Sequence, residues 1–305
     1  MKIYVAGHMG LVGSAMVRSI EAGGLHTWIG QTRAELDLLN RKAVFEYVES
    51  SKPDALVIAA AKVGGIHANS TYPVQFLSEN LQIETNLMDA AHAAGIERVL
   101  FLGSSCVYPK LAPQPIKEEY LLTGALEKTN EAYALSKIAG LKLVQAYREQ
   151  YGHSWISAMP TNLYGPRDNF DLANSHVLPA LIRKFHEAKI SGENTVTVWG
   201  TGAPKREFLH SDDLASACLF LLENYDDGVP INVGTGVDVS IKGLADLVGE
   251  VVGFSGQIKW DASKPDGTPR KLLDTSRLGE LGWKPKITLE NGLEATYEWF
   301  LSQQI

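Results

Sequence analysis

Short, unbroken apolar runs alternate with longer stretches of helical period through the first half of the chain. The runs Ile3–Ala6, Thr27–Ile29, Ala55–Ala60, Val99–Leu102 and Trp155–Met159 predict strands. The stretches Leu11–Ala22, Arg41–Ser50, Val74–Ala94 and Asn130–Tyr151 predict helices. The strand runs are continuous, not alternating, as burial on both faces of a parallel sheet requires. With short connections between them, these segments predict an α/β protein built on a doubly wound parallel sheet.

After about Asn162 the rhythm loosens. A helix at Val177–Ala188 is followed by short strands at Val196–Trp199 and Glu207–Leu209. Ser211-Asp212-Asp213 reads as a helix start, with acidic groups at the positive end of the helix dipole. A strand at Pro230–Val233 is expected to return to the first sheet, and helices follow at Ile241–Val252 and Leu289–Leu301. The predicted organisation is a nucleotide-binding domain over residues 1–165, rejoined by a segment at about 206–234. A smaller C-terminal α/β substrate-binding lobe takes up most of 166–305. No repeat, low-complexity tract or long linker separates the halves, so they are expected to pack closely.

Composition narrows the class. At 45% hydrophobic residues over 305 positions the chain is too apolar for a disordered polymer. Two cysteines cannot frame a disulfide scaffold, which points to a reducing, cytoplasmic setting. No apolar run approaches the roughly 18 residues that cross a bilayer. The opening Met1–Val5 runs straight into glycine and does not read as a signal peptide. A net charge of −7 gives no support to nucleic-acid binding. A small-molecule protein is expected, with no metal.

Gly7-His8-Met9-Gly10-Leu11-Val12-Gly13 follows the first strand and opens the first helix. Glycines there permit the tight turn and close approach of a phosphate, and the helix start offers free N–H groups to a pyrophosphate. A glycine triplet alone is a weak signal; at strand one of a βαβ series it predicts a Rossmann-type dinucleotide site. After the second strand the chain reads Ile29-Gly30-Gln31-Thr32-Arg33, with no carboxylate before Glu35. An NAD site places an acid there for the ribose, whereas arginine suits the 2′-phosphate of NADP. Arg33 reads equally as a solvated loop charge, and Asp37 either approaches the adenine or caps the next helix.

Tyr133 and Lys137 lie four apart on one helix face. Ser104 ends the fourth strand, where loops reach the binding crevice of such sheets. A phenol titrates near pH 10 and is a poor acid–base group at neutrality, but an adjacent ammonium stabilises its phenolate. The serine adds a hydrogen bond to a carbonyl oxygen. Tyr-x-x-x-Lys alone is common by chance; with the glycine loop and the serine in order it points to carbonyl chemistry.

On these features the chain resembles the extended short-chain dehydrogenase/reductases. Within them it is similar to the epimerase-reductases that act on GDP-4-keto-6-deoxy-D-mannose. The segments that carry the resemblance run nearly end to end: 59–66 (AAAKVGGI), 103–109 (GSSCVYP), 160–166 (PTNLYGP), 174–177 (NSHV), 206–210 (REFLH) and 264–271 (KPDGTPRK).

The resemblance implies 3,5-epimerisation followed by NADPH-dependent reduction at C4 in one site. Cys106 matches the base that removes the protons at C3 and C5, and His176 the acid that returns them. Ser104, Tyr133 and Lys137 stabilise the oxyanion, and Tyr133 protonates O4. Related dehydratases carry an acidic pair where Ser105-Cys106 stand here, so elimination is not expected. Without the resemblance, Cys106 reads as a small buried hydrophobe and His176 as a helix-start residue; Cys218 keeps the former reading.

The implied NADP(H) crevice takes the loop Gly7, His8, Met9, Gly10, Leu11, Val12 and Gly13, then Arg33, Asp37 and Leu38. It continues through Leu102, Gly103, Ser104 and Ser105 to Lys137, then Pro160, Thr161, Asn162 and Leu163, and reaches His176. Substrate contacts are implied for Lys184, Trp199, Arg206 and Asp266, with Arg270 and Lys271 as weaker candidates. Read without the resemblance, Lys184 is a solvated helix charge, Trp199 a core aromatic and Asp266 a turn residue before glycine. Met9 departs from the family, which often has a basic residue there, so the expected NADP preference is modest. The family also implies a homodimer through the Tyr133 helix and its neighbour. The rival readings are a nucleotide-sugar 4-epimerase holding NAD, which wants an acid after strand two, and a noncatalytic NADP sensor, which has no use for Ser104, Tyr133 and Lys137 together.

Overall fold

A computed structural model describes residues 1–303 apart from Ala173 and Pro265, so Pro265 of the 264–271 motif lies outside the described residues. The chain opens as β1 (Lys2–Ala6), α1 (Leu11–Gly23), β2 (Thr27–Ile29), α2 (Arg41–Ser51) and β3 (Ala55–Ile58). Next come α3 (Ile66–Thr71), α4 (Pro73–Ala93), β4 (Arg98–Leu102), α5 (Glu131–Tyr151) and β5 (Ile156–Pro160). After them stand β6 (Asn162–Tyr164), α6 (Val177–Ser191), β7 (Thr195–Trp199), β8 (Lys205–His210), α7 (Ser211–Asn224) and β9 (Ile231–Val233). The remainder is β10 (Asp238–Ser240), α8 (Ile241–Val252), β11 (Gln257–Asp261), β12 (Arg270–Lys271), α9 (Ser276–Glu280) and α10 (Leu289–Ser302).

The central sheet has the order β2-β1-β3-β4-β5-β9 and every pairing in it is parallel. Strand β9 pairs with β5 after the chain has left to build α6 to α7. The order reverses between β1 and β3, which opens a crevice at the carboxyl ends of these strands.

Alternate residues of one strand feed different cores. Tyr4, Leu56, Ile58 and Phe101 face Val44, Val48, Leu87 and Leu141 of α2, α4 and α5. Ile3, Val5, Val57 and Leu100 face Ala15, Met16, Leu214 and Leu221 of α1 and α7. Both faces are therefore dry, which is why the strands read as unbroken apolar runs. Each such side chain contributes roughly 1.5–3 kcal/mol by leaving water. A third core, with Leu178, Phe185, Leu244, Val248, Leu293 and Phe300, holds α6, α8 and α10 together.

Elements missing from the sequence pattern are short: α3, β6, β10, β12 and α9 have two to six residues and no period to read. The start of α7 differs in detail from expectation. Its cap is the His210 ring, which accepts from Asp212 N–H at 3.2 Å. Asp212 pairs with Arg18 of α1, and buried Asp213 accepts the backbone N–H groups of Lys286 and Ile287. Both acids tie distant segments to the helix.

Candidate active site

The glycine loop joins β1 to α1, and its three glycines answer to different constraints. Gly7 has φ +88°, and a Cβ there would stand 2.7 Å from Ala60 N. A Cβ on Gly13 would strike the Gly7 carbonyl. Gly10 is otherwise placed: a Cβ there would meet only Gly7 O, at 3.5 Å, and Gly10 precedes α1 with no side chain capping the helix. Open space and an uncapped helix start are what an approaching phosphate needs. His8 Nδ1 is buried without a partner and its ring lies 5.5 Å from Trp28, whereas Met9 is exposed.

Past β2, Arg33 is exposed and forms no ion pair among the described residues. The nearby Glu35 carboxylate accepts from Thr32 N and Oγ1, both at 2.8 Å, and these bonds hold its pKa below the usual carboxylate range. Asp37 accepts from Leu39 N–H at 3.1 Å, closing a local turn, and Leu38 is half-buried against the core. The donor set fits a dinucleotide with a 2′-phosphate: a free guanidinium, and no free acid at that place.

Leu102 and Gly103 end β4, and Pro160 to Leu163 follow the end of β5. Leu102 belongs to the core, and Thr161 Oγ1 and Asn162 Nδ2 both donate to the Glu207 carbonyl. These three positions therefore offer a ligand backbone, not free side chains.

Ser104 is extended and opens a 3-10 turn over Ser105–Val107, its hydroxyl accepting from Cys106 N–H at 3.3 Å. Tyr133, on the first turn of α5, lies beside Ser104, whose hydroxyl favours its ionised form, and packs edge-on against Phe76 at 6.4 Å. Cys106 is half-buried, and two donors converge on its sulfur: Asn130 Nδ2 at 3.3 Å and Lys271 Nζ at 3.5 Å. The charge of Arg206 also acts on this sulfur. His176 precedes α6 without capping it, and Lys271 acts on its ring. His176 is solvent-exposed at the mouth of the cleft, and desolvation by the protein around it, then the Lys271 charge, lower its imidazole pKa. Serine, tyrosine, cysteine, histidine and two cations thus meet in one cleft. The structure gives Lys271, weak in the sequence, a central place.

Lys137, expected to stabilise the Tyr133 phenolate, lies 5.9 Å from the Tyr133 ring centre and pairs with Glu84 of α4 at 3.0 Å, both fully buried. The Tyr133 pKa stands above the ordinary phenol value, chiefly through burial, with Cys106 and Glu84 adding and Ser104 opposing.

A second cluster lies at the end of β7. Trp199 is 63% exposed, so it is no core aromatic, and Lys184 and Lys264 approach its ring at 5.6 and 5.5 Å. Burial lowers the Lys184 pKa. The Asp266 carboxylate accepts from Thr201 N and Oγ1 at 2.6 and 2.8 Å, so it closes a turn beside Trp199 instead of standing free. Gly267 next to it abuts the Arg206 guanidinium, linking the two clusters. Arg270 pairs with Asp238. Cys218 is fully buried and its thiol is pushed up to about 12, consistent with an inert packing role.

Sequence reasoning missed Glu84, Asn130, Lys264 and Glu207. Asn130 lies three residues before Tyr133 and was legible only as a helix start. Glu84 was hidden on an amphipathic helix. No described helix is long and apolar enough to cross a membrane.

A family model described as the NAD dependent epimerase/dehydratase family matches residues 3–234. The chain is 58% identical over 300 residues to GDP-L-fucose synthase 1 of Arabidopsis thaliana, covering 98% of this chain and 93% of that one. It is 53% identical to GDP-L-fucose synthase of Escherichia coli, covering 99% and 97%. A solved GDP-L-fucose synthetase from Naegleria fowleri bound to NADP superposes with a TM-score of 0.92 at 29% identity, covering 99% and 94%.

Proposed function

The chain belongs to the NAD dependent epimerase/dehydratase family, and on that premise we propose that it makes GDP-L-fucose. The substrate is GDP-4-keto-6-deoxy-D-mannose, epimerised at C3 and C5 and then reduced at C4. What carries the reading is one juxtaposition: a carbonyl-binding Ser104–Tyr133 pair beside a thiol that receives hydrogen bonds from Asn130 and Lys271. The relatives' names and full-length similarity support the same reading.

The ketone at C4 acidifies the flanking carbons, because loss of either proton gives an enolate. Ser104 and Tyr133 hydroxyls donate to O4 and stabilise the charge that develops there. Cys106, with Asn130 and Lys271 placed against its sulfur, removes the proton at C3 or C5 as a general base. His176 returns one from the opposite face. Desolvation and then the Lys271 charge lower its pKa, which makes the imidazolium, once formed, a stronger acid. After epimerisation Tyr133 hands its proton to O4. NADPH, when bound, supplies the hydride to C4. Gly7 to Gly13 and Arg33 are the residues that would hold this cofactor. Lys184, Trp199 and Arg206 face the nucleotide diphosphate, with Lys264 beside them. The functional unit is a homodimer through α4 and α5, whose outer stripe includes exposed Leu135 and Ala139.

The test is incubation with GDP-4-keto-6-deoxy-D-mannose and NADPH or NADH, with the product's stereochemistry read by NMR. The expected product is GDP-L-fucose, formed faster with NADPH. Copurified NAD with no reductant consumption would instead indicate a 4-epimerase and defeat the reading.

A further inference from the structure

Behind the reacting tyrosine stands a charge pair with no other company. Glu84 is 1% exposed and Lys137 2%, with 3.0 Å between Oε1 and Nζ. Lys137 is the partner of this carboxylate, and no other hydrogen-bond donor reaches it among the described residues. The ammonium lies 4.7 Å from the Phe101 ring centre and 5.9 Å from that of Tyr133. Room for the carboxylate is made by Gly140: a Cβ there would come within 2.8 Å of Glu84 Oε2 and would strike the Phe101 ring.

Packing alone does not call for this arrangement. Removing two charges from water costs energy that their attraction often fails to return, and an apolar pair of equal volume would hold α4 to α5 as well. A carboxylate kept there therefore has work to do on the lysine. The lysine of a Tyr-x-x-x-Lys pair acts on the phenol through its charge, and that charge reaches the phenol only as far as it is uncompensated.

We propose that Glu84 is a positioning residue for the C4 reduction: it fixes the Lys137 ammonium behind Tyr133 and offsets its charge, keeping the phenol protonated and ready to donate to O4. The proposal rests on the reading of Tyr133 as the proton donor. The groups facing Tyr133 are Glu84 from α4, Lys137 from its own helix, and Ser104 and Cys106 from the turn after β4. Cys106 is in turn faced by Lys271 of β12 and Arg206 of β8. Burial first, then Cys106, then Glu84 raise the Tyr133 pKa, and the Lys137 ammonium opposes the burial that raises the pKa of Glu84 itself. Losing that charge leaves Lys137 unopposed, so the phenol must become more acidic. A site biased this way favours ketone reduction over alcohol oxidation, which needs the phenolate.

The experiment is a pH titration of the ligand-free chain labelled with ¹³Cζ-tyrosine, the Tyr133 resonance being assigned from Tyr133→Phe. In Glu84→Gln the resonance should titrate about one pH unit or more below its wild-type position, as loss of one close charge implies. The basic limb of kcat for the reduction should move down with it. Glu84→Asp keeps the charge but shortens its reach, and should fall between the two. Should Glu84→Gln fail to fold, Glu84→Asp decides alone, and an unshifted Tyr133 there overturns the proposal. A merely structural Glu84 would lower stability and leave both profiles in place, which also overturns it. Because the resonance is read without substrate, an unshifted Tyr133 in a chain that does turn over the keto sugar sinks Glu84 alone. Absent turnover by the wild type sinks the reading of the site.

Discussion

At the scale of single residues, the two half-reactions rest on different atoms and should come apart under mutation. Cys106 touches Asn130 and Lys271, whereas the proposed carbonyl ligands are Ser104 and Tyr133. Replacing the thiol by a hydroxyl removes a group that ionises readily, at a cost of the 10²–10⁴-fold typical of a lost general base. In Cys106→Ser, deuterium from solvent should no longer enter C3 and C5, whereas some direct reduction of the unepimerised ketone persists. Wild-type exchange in that variant would remove Cys106 from the mechanism. Much of this site was legible in advance, because Tyr133 and Lys137 are four apart and Ser104 ends a strand. Glu84 was not, since nothing local distinguishes a carboxylate aimed across a helix contact from one aimed at water. Asp266, legible as a turn residue before glycine, closes its turn with Thr201, a partner 65 residues away that no local pattern announces.

Among elements, the long ones were readable and the joints were not. The unbroken apolar runs and helical periods located β1 to β5 and α1, α2, α4 and α5 to within a residue or two. The short pieces β6, β10 and β12 exist because β8 draws them together, and no period of two or three residues announces that. Glu207 is the main joint. Fully buried on β8, its carboxylate accepts Gly236 N–H at 2.7 Å and Leu273 N–H at 3.0 Å, binding the segments that follow β9 and β12. Burial raises its pKa against these bonds. Glu207→Leu leaves two inward backbone donors unpaired, and we expect a loss of about 2–6 kcal/mol at 1–3 for each orphaned group. Urea unfolding at unchanged slope is the measurement, and a midpoint equal to that of the wild type would show the joint to be idle.

For the molecule as a whole, the proposed pairing uses the outer stripe of α5. Light scattering should give twice the chain mass, and Leu135→Glu should halve it by placing charge in an apolar contact. A wild-type mass of one chain at assay concentration would rule the pairing out. The route of the backbone carries a different consequence. Strand β5 has its far edge covered by β9, and the face beside it by α7, yet α6, β7 and β8 come first in the chain. While the ribosome is still translating the middle of the message, the nascent sheet has an open flank and a bare oily side. It stays in that state until residue 233 has emerged, so the half that grips the dinucleotide is finished only after much of the other half has been synthesised.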